Sequence, residues 1–217
     1  MYINADFDLD KIGYTFDRFS KEILKLADQW VESTPTPVYS YQIRDITLGW
    51  NFIGTVKDWK PADGPYSSGT YSLVLDLDNT VTNPIFSTNT ICFGETTQTG
   101  HKRIACHVGA LKGHTTNMSD KYRKHTPHIN EAFNIEDLTA HLDKIKIFFR
   151  GHNFTDEEWE LDRIHSSYME TLCHSAYYVI HNKFPPGNTR DLPSYNLIEK
   201  TKQFYENSEL QQKFALR

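Results

Sequence analysis

The sequence predicts an α/β protein of the α+β kind, in which helices flank a small three-stranded antiparallel sheet. Residues 69–94 contain two apolar runs separated by turn-forming residues, which is typical of a β-hairpin with a long connection. Residues 145–149, Ile-Lys-Ile-Phe-Phe, alternate and then run apolar, which predicts a third strand. Segments with helical periodicity lie before, between and after these strands.

The N-terminal part is expected to form a helical arm. Apolar residues recur at three- and four-residue steps over residues 15–32, which predicts an amphipathic helix. The Ser-Thr-Pro-Thr-Pro stretch at residues 33–37 breaks it. Residues 38–68 show no clean period, and we expect short strands or irregular packing there.

The predicted core begins with the hairpin, whose strands we assign to residues 71–77 and 90–94. Residues 101–112 suit a helix with apolar residues at inward positions, and Gly113 provides its stop. Arg103 and His107 lie one helical turn apart and share a face offset from the apolar stripe, as expected of a pocket-lining pair.

The rest of the chain predicts more helix. Residues 113–134 are polar and rich in histidine, which indicates a loop with a short helix, and residues 135–143 look helical. The Thr-Asp-Glu-Glu sequence at residues 155–158 is a capping box that begins a long helix reaching about Asn182. A last helix is expected over residues 195–210.

Composition excludes several classes of protein. The 217 residues are 38% hydrophobic and 24% charged, which is ordinary for a globular chain. No stretch approaches the roughly 18 apolar residues that cross a membrane, and the acidic N-terminus lacks a secretory signal, so we expect a cytoplasmic protein without a membrane partner. The three cysteines lack CxxC spacing, which argues against disulfides and a cysteine zinc site.

The net charge of −5 counts against a uniformly basic nucleic-acid binder, but the charge is unevenly distributed. Acidic residues concentrate at residues 6–10 and 156–162, whereas the stretch 101–124 is locally basic. The chain could therefore present one basic face on an acidic body. The candidate DNA-binding side chains in the basic stretch are Lys102, Lys112, Lys121, Arg123 and Lys124.

Six candidate site residues follow one spaced order along these elements. Their order is strand, hairpin connection, strand, helix with Arg-xxx-His, third strand, and helix with a lone glutamate, followed by an asparagine after Phe-Pro-Pro-Gly. The six are Tyr71, Gly94, Arg103, His107, Glu170 and Asn188. In this order the chain resembles the GIY-YIG nuclease superfamily over about residues 67–190, with Gly69-Thr70-Tyr71 matching the first motif.

The resemblance implies a phosphodiester hydrolase with assigned roles. Tyr71 would activate the attacking water or hydrogen-bond the phosphate, and Arg103 would offset charge on the phosphoryl oxygens. His107 lies where some family members carry a histidine beside the nucleophile. Glu170 would be the ligand of one Mg²⁺ or Mn²⁺ ion, and Asn188 would brace the site through hydrogen bonds. Asn182 is a closer-spaced alternative to Asn188.

One position departs from the family pattern. The second tyrosine of the family name is replaced, because the tripeptide here is Cys92-Phe93-Gly94. Chain length and the arm make the sequence most similar to small GIY-YIG type II restriction endonucleases. The resemblance thus divides the chain into an arm (1–66), a nuclease core (67–190) and a C-terminal helix (191–217). It implies a site-specific DNA endonuclease acting on double-stranded DNA, and cleavage of two strands by one site per chain would favour a homodimer.

Two alternatives stay open. Residues 73–81 resemble the first motif of haloacid-dehalogenase-type phosphatases, with Asp76 as nucleophile and Asp78 as acid/base, although no later strand ends in the acidic pair that such a fold needs. The other alternative is a catalytically degenerate GIY-YIG fold that binds DNA or protein. The Cys92 substitution and the negative net charge favour that reading.

Overall fold

The computed structural model describes residues 46–65, 67–96, 100–151 and 159–188, together with residue 198. Its strands are β1 (Asn51–Thr55), β2 (Gly69–Leu75), β3 (Thr90–Thr96) and β4 (Ile145–Gly151). Its helices are α1 (Gly100–Leu111), α2 (Ser119–Phe133) and α3 (Trp159–His181). Short 3₁₀ helices span Pro61–Asp63 and Leu138–His141. The α+β class is confirmed.

The sheet has four strands among the described residues, where the sequence predicted three. All pairings are antiparallel, in the order β1-β4-β2-β3. The additional strand is β1, which lies in the segment 38–68 where short strands or irregular packing were expected without a defined position. It is an edge strand that is exposed at its start and carries a register shift between Phe52 and Gly54. The irregular register interrupts the alternation by which a strand is recognised in a sequence. The sheet therefore extends into the segment predicted as an arm.

Strand β2 lies inside the sheet, and all seven of its residues are buried. It begins two residues earlier than predicted and ends at Leu75, while Leu77 is exposed. Tyr71 lies opposite Gly94 of β3 on one side and Phe149 of β4 on the other. Side chains alternate along a strand, so β2 presents Tyr71 and Leu73 to one face of the sheet.

Two hydrophobic clusters cover the sheet. The first, which we call the α1/α2 face, joins apolar residues of β2, β3 and β4 to α1 and to two anchors on α2, Tyr122 and Ile129. The second, the α3 face, joins Phe93 of β3 to buried residues of α3, including Tyr168 and Tyr177. The sheet thus separates two buried layers that use different helices.

Two predictions between α1 and β4 were wrong. Residues 119–133 form one continuous 15-residue helix rather than a loop with a short helix. It buries only Tyr122 and Ile129, so its sequence lacks the apolar residues at three- and four-residue steps that predict a helix. It also contains Pro127, which in a sequence normally indicates a break. The segment 135–143 contains only the 3₁₀ helix, which begins where the Asp137 carboxylate accepts the Thr139 backbone N–H.

Several predictions fall outside the described residues. These are the N-terminal helix, the break at 33–37, the capping box at 155–158 and the last helix at 195–210. The predicted domain boundaries at residues 66 and 190 also lie there. Among the helices that the structure describes, none combines the length and apolar character of a membrane span.

Candidate active site

Three buried side chains from three elements form a continuous hydrogen-bonded chain. The Tyr71 hydroxyl of β2 lies 2.7 Å from Nε2 of His107 on α1. The other ring nitrogen, Nδ1, lies 2.8 Å from the hydroxyl of Tyr122 on α2. The three rings meet edge to face and are 1%, 2% and 4% exposed in the order given. Tyr71 and His107 are therefore brought together as the sequence predicted, and Tyr122 joins them.

Glycines make room for this arrangement in the sheet. A Cβ atom on Gly94 would overlap the ring and hydroxyl of Tyr71, which lies across from it. A Cβ atom on Gly69 would overlap the ring of Phe149 and a backbone carbonyl of β4. The first glycine of the Gly-Thr-Tyr motif and the last of Cys-Phe-Gly are thus required for the same physical reason, the close passage of an aromatic ring.

Burial governs the protonation of the hydrogen-bonded chain. It raises the pKa of Tyr71 well above its ordinary value, and the Arg103 guanidinium acts in the opposite direction through charge and a hydrogen bond to the phenol. It lowers the pKa of His107 well below its ordinary value, and the charges of Lys121 and Arg103 lower it further. At neutral pH His107 is therefore a neutral imidazole between two neutral phenols.

Arg103 and Glu170 bring opposite charges to the Tyr71 end of this chain. The Arg103 side chain on α1 is exposed in part and desolvated in part. Desolvation lowers its pKa, but the charges of Tyr71 and Glu170 outweigh that effect and the pKa is raised. Glu170 is half-buried on α3, and its charge acts on both Arg103 and Tyr71. The predicted catalytic residues thus share one neighbourhood in which a cation and a carboxylate accompany a phenol.

Asn188 fixes the open edge of β3. Its side-chain amide accepts the Phe93 backbone N–H at 2.8 Å and donates to the Phe93 carbonyl at 2.9 Å. The preceding Gly187 donates its backbone N–H to Ile91 at 2.7 Å. The Pro-Pro-Gly-Asn segment therefore pairs with β3 as an added strand would. Asn182, by contrast, is exposed and follows α3 with a left-handed φ of 52°.

Cys92 lies at the buried end of the same network. Its thiol is 3.9 Å from the Tyr122 hydroxyl, and burial raises its pKa. A phenol from α2 therefore reaches strand β3 at Cys92. Tyr122 is not predicted as a site residue, because the sequence of residues 113–134 predicts mainly loop. The available signal was the seven-residue spacing of Tyr122 and Ile129 in an otherwise polar stretch.

The five predicted DNA-binding cations have different surroundings. Lys121 is half-buried, and its charge acts on His107 and Cys92, which places it beside the network. Lys112 donates to a backbone carbonyl at 3.2 Å, and Arg123 pairs with Asp120 at 2.8 Å on the exposed surface of α2. The other two, which are exposed, are Lys102 and Lys124.

The alternative motif has a structural explanation. The buried Asp76 carboxylate accepts the backbone N–H groups of Thr80 and Val81 and pairs with the Lys146 ammonium at 2.7 Å. Burial raises the pKa of Asp76, but these partners outweigh it and the pKa is lowered. Asp76 therefore organises the turn after β2. The phosphatase reading also requires a parallel sheet, whereas every pairing among the described strands is antiparallel.

A single magnesium ion is compatible with the residues present. Within the described ranges no three His, Cys, Asp or Glu side chains are grouped to enclose a metal. Mg²⁺ commonly retains several waters and binds through one or two carboxylates plus substrate phosphate, so it does not need such a group. The Glu170 carboxylate, half-buried and close to the Arg103 and Tyr71 side chains, suits that mode of binding.

Comparisons of the chain with protein-family models, with curated proteins and with solved structures found no match.

Proposed function

We propose that this protein is a metal-dependent DNA endonuclease that hydrolyses phosphodiester bonds, with site specificity of the restriction-enzyme type. The observation that carries the proposal is the hydrogen bond between Tyr71 and His107, with Arg103 beside the phenol and Glu170 within electrostatic reach. A phenol backed by a proton acceptor and flanked by a cation is suited to accept a proton from water.

The proposed reaction uses these groups in turn. The attacking water gives a proton to the Tyr71 oxygen while the Tyr71 proton moves to Nε2 of His107. The new phosphorus–oxygen bond forms as the bond to the 3′-oxygen breaks, and that oxygen takes a proton from solvent, leaving 5′-phosphate and 3′-hydroxyl ends. His107 then returns its proton to the Tyr71 oxygen, and Tyr71 releases the proton that it took from the water to solvent. Arg103 donates hydrogen bonds to the phosphoryl oxygens, whose negative charge increases in the transition state.

The remaining residues support this chemistry. Glu170 would hold the Mg²⁺ or Mn²⁺ ion, which when bound supplies a positive charge against the phosphate oxygens. Asn188 holds the backbone of β3 at Phe93, next to Gly94, and so keeps the surface under Tyr71 in place. Lys121 is the predicted DNA-binding cation whose charge acts on His107 and Cys92. The proposal includes double-stranded DNA as substrate, a homodimer as the cutting unit, and a cytoplasmic location.

A second candidate function is a DNA- or protein-binding module that has lost catalysis. Two observations favour it. Cys92 supplies a thiol where the resembled family has a phenol, and Tyr71 is only 1% exposed, although a base must reach the attacking water. A binding module predicts DNA retention without cleavage.

Digestion of DNA tests the proposal. Several unrelated phage genomes would be incubated with Mg²⁺ and wild-type protein, Glu170→Gln or Glu131→Gln, the last being a matched change at an exposed glutamate of α2. We expect discrete fragments from the wild type and Glu131→Gln, and a loss of at least about 100-fold in rate for Glu170→Gln. Retention of DNA in a gel-shift assay without cleavage, under Mg²⁺ or Mn²⁺, would instead support the binding module.

A further inference from the structure

Tyr122 occupies an unusual position in the network. It is buried on α2, and its hydroxyl contacts His107 Nδ1 at 2.8 Å and the Cys92 thiol at 3.9 Å. It therefore meets the histidine on the side opposite Tyr71. Helix α2 is polar and buries only two side chains, Tyr122 and Ile129, and the Tyr122 hydroxyl is the group that it contributes to the network.

The neutral imidazole restricts where the protons lie. It has one N–H donor and one lone pair, so its two hydrogen bonds must run in the same sense. Either Tyr71 donates to Nε2 and Nδ1–H donates to Tyr122, or Tyr122 donates to Nδ1 and Nε2–H donates to Tyr71. The two arrangements correspond to the two tautomers of His107, and in only one can Tyr71 pass its proton to the ring.

Arg103 selects between them. The Arg103 cation acts on the Tyr71 phenol, and because a guanidinium has donors but no acceptor, the phenol oxygen turns a lone pair rather than its proton toward it. The proton of this buried hydroxyl still needs an acceptor, and His107 Nε2 lies 2.7 Å away. Tyr71 therefore donates to Nε2, the ring proton is on Nδ1, and Nδ1–H donates to the Tyr122 oxygen.

We propose that Tyr122 is a positioning residue of the active site, whose hydroxyl holds His107 in the Nδ1–H tautomer so that Nε2 stays available for the Tyr71 proton. This inference rests on the proposed function, because the direction of that proton matters only if Tyr71 activates water. Without the Tyr122 hydroxyl the buried Nδ1–H has no acceptor. The preference for the Nδ1–H tautomer is then weakened, and the population with Nε2–H, which cannot accept the Tyr71 proton, increases.

The tautomer can be measured directly, without DNA. Long-range ¹H–¹⁵N correlation spectra of histidine-labelled protein at neutral pH distinguish the two ring nitrogens, and His107→Gln assigns the signals. We expect His107 of the wild type to carry its proton on Nδ1, and Tyr122→Phe to increase the population that carries it on Nε2. Tyr177→Phe is the matched control, because that hydroxyl donates to the Thr88 carbonyl on the α3 face.

Cleavage kinetics provide the second readout. We expect Tyr122→Phe to lower kcat about 10- to 100-fold, with KM for DNA within about twofold of the wild type, and Tyr177→Phe to change neither. A wild-type ring that carries its proton on Nε2 overturns the inference, and this result stands even if Tyr122→Phe does not fold. If the wild type cleaves DNA and a folded Tyr122→Phe protein has the same kcat, only the inference is overturned. If the wild type cleaves no DNA, the proposed function is overturned as well.

Discussion

The two faces of the sheet each bury a histidine, and the two histidines have opposite surroundings. On the α1/α2 face, His107 has a hydrogen-bond partner for each ring nitrogen. On the α3 face, His174 is 1% exposed, and neither of its nitrogens lies within hydrogen-bond distance and angle of a partner among the described residues. Its ring meets Phe93 edge to face, and Nε2 lies 4.0 Å from the Glu170 carboxylate.

His107 thus belongs to a hydrogen-bonded network, whereas His174 is a buried polar group held by packing. Burial lowers the pKa of His174 to about 4, with the Asn188 side chain acting in the opposite direction, so this ring is neutral at pH 7 and buried at an energetic cost. His107 is equally buried, but its hydrogen bonds offset that cost and fix its orientation. A fixed orientation is what proton transfer requires, and we therefore assign the proposed proton transfer to the α1/α2 face.

The largest expected effect comes from replacing each histidine with leucine. His107→Leu leaves two buried phenols without their partner, and we expect it to lower the free energy of unfolding by about 3 kcal/mol or more. His174→Leu removes no hydrogen bond, so we expect a change within about 1 kcal/mol in either direction. Urea unfolding at pH 7 measures both, and equal losses would contradict the contrast between the two faces.

The next effect concerns the glycine under Tyr71. Gly94→Ala forces the Tyr71 ring away from His107, and we expect it to lower the free energy of unfolding by about 2 kcal/mol. Gly151→Ala is the control, because its Cβ atom would make ordinary contacts of 3.5 and 3.6 Å. We expect this control to stay within about 0.5 kcal/mol of the wild type. Tolerance of alanine at residue 94 would show that the ring does not lie over this position.

The third prediction concerns the effect of acid on the free energy of unfolding, to which the buried His174 contributes. The folded-state pKa of His174, about 4, lies below the unfolded value near 6.5, so protonation of this ring favours the unfolded chain. The free energy of unfolding is therefore unaffected by this protonation above pH 6.5 and falls as the pH is lowered from 6.5 toward 4. Between pH 7 and pH 5 this group accounts for about 2 kcal/mol. Urea unfolding at both pH values should show His174→Leu losing about 2 kcal/mol less than the wild type. An identical loss in both proteins would mean that His174 titrates normally.

The smallest effect should come from the edge of β3. Asn188→Ala removes two half-buried hydrogen bonds to Phe93, and we expect it to cost about 1 kcal/mol. Amide exchange at Phe93 should also become faster, because its backbone N–H loses its acceptor. Asn182→Gly is the control, since glycine adopts the left-handed φ of 52° freely, and it should stay within about 0.5 kcal/mol. Unchanged exchange at Phe93 in Asn188→Ala would argue against the bracing role.

Much of the core followed from sequence patterns. Strands β2, β3 and β4 were predicted because each is a short apolar run bounded by turn residues, and α1 because its apolar positions recur with helical spacing. The Arg-xxx-His spacing on α1 predicted that Arg103 and His107 share a face that lines a pocket. In the structure His107 contacts the Tyr71 phenol and is buried, whereas Arg103 is exposed and its charge acts on that phenol.

The missed elements lack a local pattern. The register shift of β1 and its exposed first residues hide its alternation, and α2 buries only two side chains over 15 residues. The role of Tyr122 could not be predicted, because its hydroxyl acquires partners only when α1, α2 and β3 come together. The tautomer of His107 depends on the same assembly and on Arg103, so it is a property of the tertiary structure alone.

Mg²⁺-dependent cleavage of phage DNA by the wild type, run beside Glu170→Gln and Glu131→Gln, tests the central claim most directly. The account predicts discrete fragments from the wild type and Glu131→Gln, and no comparable cleavage by Glu170→Gln although it still binds DNA. Cleavage by Glu170→Gln at the wild-type rate, or a wild type that leaves every genome intact with both Mg²⁺ and Mn²⁺, would contradict it.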